Sequence, residues 1–144
     1  MKWKMTTART TKINRAATTP RHGVEHYCGD LNGGPRSWMG LEKDLPPGEQ
    51  LVTLFRPFLE YLAMSNLSPK TIQKHVDNMW VLGGEFITEL NYTPSLRKVR
   101  VEKVLADMIK DGGPILHQGD SEEQQRSFES TCRKLWKFLN QSHG

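Results

Sequence analysis

Ile72, Val76, Met79, Gly83, Phe86 and Leu90 recur at alternating intervals of four and three residues. That spacing puts all six on one stripe of an α-helix and on no single face of a strand. Ser68 precedes Pro69, the favoured order of cap and first helical residue. The pattern predicts a helix over residues 69–90. Gly83-Gly84 sits inside it and costs about 1 kcal/mol per glycine relative to alanine. The stripe keeps its phase across the pair, so close contact with a neighbouring helix is expected there.

Three more stretches share this character. Over residues 49–64, Leu51, Leu54, Phe55, Phe58, Leu59 and Leu62 form one broad apolar face. Pro57 lies within it, so a bend or a late start is expected. Over residues 95–111, Val101, Val104, Leu105 and Met108 give a buried face, and Gly112-Gly113-Pro114 is a stop signal. The alternation in KVRVEKV would also suit a strand, but helical spacing takes over beyond Val101. Over residues 121–140, Phe128, Cys132, Leu135 and Leu139 line one side. Arg126, Ser130, Arg133 and Lys137 line nearly the opposite one. Asp120 or Ser121 can cap this last helix, and Glu122 and Glu123 suit its positive end. Four helices with short links predict an all-α, compact four-helix bundle over residues 49–141.

Residues 22–48 are punctuated by Gly, Pro, Asn and Asp and predict a mostly irregular arm, with Trp38, Met39 and Leu41 available to fold back on the core. Residues 1–21 have no hydrophobic period and are expected to be a disordered tail. The net charge of +4 is uneven. Residues 1–21 hold Lys2, Lys4, Arg9, Lys12, Arg15 and Arg21 without an acid, which is +6. Residues 49–144 hold twelve basic and twelve acidic side chains and are neutral. A basic arm adds sequence-independent affinity for nucleic acid. The same acid-free tail also suits a solvated leader, or a transit peptide, although the amphipathic period of the latter is lacking.

Two distant cysteines, Cys28 and Cys132, make no disulfide framework and point to a reducing, cytoplasmic setting. No apolar run reaches the roughly 20 residues of a membrane span. His22, His26 and Cys28 lie close together, but three local ligands without a second cluster do not predict a metal site. LNGGPRS lacks the strand and lysine of a phosphate loop. No catalytic triad, paired-carboxylate site or cofactor motif is found.

The stretch FLEYLAMSNLSPKTIQKHVDNMWVLGGEFI resembles the core-binding domain of tyrosine recombinases, the phage-integrase family. Phe58, Leu59 and Leu62 match the end of that family's first helix; Leu67, Ser68 and Thr71 match the opening of its second. An aromatic residue usually stands where this chain has His75. CRKLWKFLNQ resembles the family's last helix through Leu135, Phe138 and Leu139. The resemblance covers about residues 49–141 and implies a SAM-like helical domain that clamps duplex DNA. By position it nominates Lys70, Thr71 and Lys74, and more loosely Arg126, Arg133 and Lys137, as DNA contacts. The family's catalytic arginines, lysine, histidines and tyrosine nucleophile have no counterpart, since Tyr27, Tyr61 and Tyr92 fall in the wrong places. The expectation is a non-catalytic DNA-binding module. Its alternative is a protein-interaction module, or integrase remnant, that binds a recombinase-like partner.

Overall fold

The computed structural model describes residues 23–116 and 121–141. The expected basic tail, His22 and the alternative cap Asp120 lie outside them. The described chain is all-helical, with no strand among its residues. Six α-helices follow in order: α1 (Val24–Tyr27), α2 (Gly34–Trp38), α3 (Leu45–Ala63), α4 (Pro69–Tyr92), α5 (Val101–Ile109) and α6 (Glu122–Asn140). Short 3-10 turns at Leu31–Gly33, Glu42–Asp44 and Pro94–Lys98 join α1 to α2, α2 to α3 and α4 to α5.

The expected apolar stripes face one shared core. Leu51, Phe55, Phe58 and Leu62 of α3 meet Val76, Met79, Leu82 and Phe86 of α4. Val104, Leu105 and Ile109 of α5 and Phe128, Cys132 and Leu135 of α6 complete it. Each large side chain buried in this way contributes about 1.5–3 kcal/mol. α3 begins at Leu45, with Pro46 in its first turn, four residues before its apolar stripe suggests. It also runs on through Pro57. Pro57 and Thr53 are both exposed, so the Thr53 carbonyl that loses its helical partner lies on the solvent side.

Two segments differ from expectation. Within the mostly irregular arm expected before residue 49, residues 23–44 form short helical turns and residues 45–48 belong to α3, and Val24, Tyr27, Cys28 and Leu31 are buried in the core. The helices of residues 23–44 are one turn long, too short for any periodicity to show in the sequence. The helix expected over residues 95–111 is divided. Pro94–Lys98 is a 3-10 turn, Val99 and Arg100 are extended, and α5 starts only at Val101. The extended pair re-aims the chain so that Val101, Val104 and Leu105 enter the core while Arg97 reaches Asp44.

Asp44 is fully buried. Its Oδ2 accepts from the Gly40 and Leu41 amides at 2.8 Å and from Asn91 Nδ2 at 3.3 Å. Its Oδ1 accepts from Arg97 Nη2 at 2.7 Å, and the same Nη2 donates to Asn91 Oδ1 at 2.8 Å. Burial pushes the carboxyl up, but the hydrogen bonds from Arg97, Leu41, Gly40 and Asn91 outweigh it and hold it below the usual value.

The glycine pair of α4 receives Trp38. Its indole Nε1 donates to the Trp80 carbonyl at 3.0 Å, and its rings meet Phe55 and Trp80 edge-on. The ring lies where a Cβ on Gly83 would stand, whereas a Cβ on Gly84 would meet it at an ordinary 3.8 Å. The close approach expected at this pair is therefore made by one side chain from α2. After α5, Gly112 and Gly113 take φ of 105° and 90°, a left-handed turn that favours glycine.

These contacts give opposite expectations for adjacent positions. Gly83→Ala should destabilise by about 1–3 kcal/mol through overpacking. Gly84→Ala should be neutral or stabilising by up to about 1 kcal/mol through helix propensity. Urea unfolding of the two variants separates them; equal effects would show that Trp38 does not occupy this notch. Arg97→Ala leaves Asp44 buried without its cation and should cost about 3–5 kcal/mol in the same measurement.

Candidate functional site

The N-terminus of α4 forms as the sequence suggests. Ser68 is extended, and its Oγ accepts from the Thr71 amide at 3.1 Å. The Ser68 hydroxyl in turn donates to Thr71 Oγ1 at 3.0 Å. Thr71 is thus engaged in the cap. Lys70 and Lys74 are exposed one turn apart, on one side of the helix. At α6, Ser121 Oγ accepts from the Gln124 amide at 3.0 Å. The first turn carries Glu122 and Glu123, which suit its positive end.

A polar seam fixes α6 against α4. Asn78 Nδ2 is shared among the Ser127 carbonyl at 3.1 Å, Ser127 Oγ at 3.1 Å and Thr131 Oγ1 at 2.9 Å. Thr131 is buried, and His75 Nδ1 lies 2.6 Å from the same hydroxyl. His75 is buried too, in the place where the resemblance leads one to expect an aromatic ring. Burial, then the charges of Lys134 and Lys74, push its pKa down to about 4, so the imidazole is neutral at pH 7.

This seam brings two of the six nominated residues together. Lys74 and Arg126 line one open groove of about 660 Å³, with Ser121, Glu123, Gln124 and Ser127. The groove is not uniformly basic. Glu123 lines it, and Arg126 Nη1 lies 3.7 Å from Glu122 Oε1 in an exposed pair. Exposed pairs of this kind contribute little and leave the arginine free to exchange partners. Lys70 stands one turn before Lys74. Arg133 is exposed further along α6, with Nη1 close to Gly112 at the end of α5. Lys137 is exposed one turn later. Sequence reasoning passes over Lys134, whose charge acts on His75. It lies off the Arg126–Arg133–Lys137 stripe. Its signal is the spacing Ser127, Thr131, Lys134, which marks the side of α6 that faces α4.

Other features of the sequence are absorbed structurally. The Cys28 thiol points at the Val24 carbonyl, 3.7 Å away, and burial pushes its pKa up to about 11. Among the described residues no group of three metal-capable side chains gathers. Trp80 is buried, and Trp136 and Val81 are half-buried against the core. Thr53, Leu54, Pro57, Phe138 and Leu139 line an apolar groove of about 340 Å³ between α3 and α6. Tyr61 is half exposed near it, its ring 5.0 Å from that of Phe138.

No family model matches this chain, and no curated protein and no solved structure is significantly similar to it.

The seam gives stability a pH dependence. The unfolded His75 takes a proton near pH 6.5, whereas the folded one takes it only near pH 4. Stability is therefore greatest above pH 6.5, falls as the pH drops from 6.5 to 4, and stops falling from this cause below that. The loss attributable to His75 is at most about 3 kcal/mol. Urea unfolding of the wild type and His75→Phe across this range measures it; parallel curves would show that His75 is not held neutral.

Proposed function

We propose that this chain is a non-catalytic DNA-binding module of the kind found as the core-binding domain of tyrosine recombinases. In this reading α3 to α6 are the four helices of that SAM-like bundle, and the short turns of residues 23–44 brace one side. The observation that supports it best is the convergence of Lys74 and Arg126 on one open groove. The groove lies between the capped N-terminus of α6 and the second turn of α4. Two cations from separate helices, held in register by the buried seam, suit a phosphate backbone. Phosphate contacts position a protein on a duplex without reading its sequence. Lys70 extends this row toward the α4 terminus, and Arg133 and Lys137 extend it along α6. The basic residues 1–21 add sequence-independent affinity.

A second reading is favoured by a different observation. The apolar groove of Leu54, Pro57, Phe138 and Leu139 has almost no polar lining. In this reading a recombinase-like protein docks an apolar side chain there, and the neutral charge of residues 49–144 fits it.

Fluorescence anisotropy of the full chain with a labelled mixed-sequence duplex tests the first reading. Lys74→Glu with Arg126→Glu should weaken binding to all sequences alike. It should also reduce the salt slope by about one for each phosphate that is no longer neutralised. Unchanged affinity and slope would sink the groove as a DNA surface. Leu54→Asp with Leu139→Asp should leave DNA binding unaltered.

A further inference from the structure

A third pocket lies far along α4 from the Lys74 groove. It encloses about 250 Å³ between the start of α3, the end of α4 and the turn leading into α5. Its accessible apolar lining is Pro46, Pro47, Leu96 and Val99, over a floor of buried Phe86 and Leu90. Its cations are Lys43, Arg97 and Arg100, and no carboxylate lines it. The charges are not equivalent. Arg97 is matched by Asp44 and anchored by Asn91 and the Lys43 carbonyl, so it forms a fixed wall. Its Nε is buried without a hydrogen-bond partner. Lys43 and Arg100 are exposed, and among the described residues neither has a carboxylate partner. The site thus combines an apolar cleft with two uncompensated positive charges on one rim.

We propose that this pocket binds a small amphipathic carboxylate, with its apolar chain against Pro46, Pro47, Leu96 and Val99 and its carboxylate between Lys43 and Arg100. The volume falls below the roughly 300 Å³ at which drug-sized pockets begin, so the chain is short. Two donors of opposite shape, an ammonium and a planar guanidinium, suit a carboxylate that one of them grips with both oxygens. A cationic amphiphile of the same length meets repulsion from the same rim. The two exposed cations come from segments more than fifty residues apart, and Asp44 with Arg97 sets their spacing.

Calorimetric titration of the full chain with octanoate and with octylamine tests this. Octanoate should bind saturably and at least about tenfold more tightly than octylamine. Lys43→Glu with Arg100→Glu should abolish that preference or invert it. Both positions are exposed, and unaltered urea unfolding of the double variant confirms that its fold is kept. Amide shifts on octanoate binding should gather at Val99, Val101 and Val104. The proposal is overturned if octanoate does not saturate or if octylamine binds equally. It is overturned as well if the charge reversal leaves octanoate affinity unchanged, or if only anionic vesicles, not free octanoate, are bound.

Discussion

A carboxylate with no exposure to water organises one end of this molecule. Asp44 has to be ionised or protonated in a place where neither is comfortable alone. The structure resolves this by bringing four groups to it from three parts of the chain: the Gly40 and Leu41 amides, Asn91 at the end of α4, and Arg97 in the following turn. Gly40 and Leu41 and the Pro94–Lys98 turn carry no buried apolar side chain of their own to define their position. Hydrogen bonding to a single buried charge defines it for them. The start of α3, the end of α4 and the entry to α5 are set as a group, and the pocket between them inherits its shape.

The other end of α4 is held by a neutral counterpart. His75, Asn78, Ser127 and Thr131 make a seam without formal charge, although Lys74 and Lys134 stand close by. Between the two ends the contacts are apolar. Apolar surfaces tolerate small slides of one helix on another, because burial has no direction. Hydrogen-bonded groups do not, since a shift of one turn leaves each of them unpaired. The 24-residue α4 is thus pinned in register at both ends, with Trp38 in the Gly83 notch between them.

The sequence was most informative where a local rule acts alone. The Ser68-Pro69 start, the Ser121 cap and the apolar faces of α3, α4 and α6 all follow from spacing and capping, and all are present. It was least informative where distant residues decide. The early start of α3 at Leu45 adjoins Asp44, whose partners lie 47 and 53 residues away. The break at Val99 and Arg100 has the same origin, since Arg97 must turn toward Asp44 before the core stripe resumes. Short helices within residues 23–44 escape periodicity altogether. At the candidate DNA groove, the basic stripe of α6 was legible as a stripe, but not which of its members would face α4. That choice belongs to Asn78 and His75, whose partners on α6 are invisible in one dimension.

The two cysteines have a practical consequence. Both thiols are buried, and burial pushes Cys28 up to about 11 and Cys132 up to about 12, so neither is a thiolate at neutral pH. One sits in the N-terminal turns and the other at the middle of α6, beside Gly113. A thiol reagent therefore reaches each only when its own neighbourhood opens. The native sequence carries a pair of silent clocks, one for the release of the N-terminal brace and one for the parting of α6 from the core. Their relative rates tell whether the molecule comes apart as one unit or in stages.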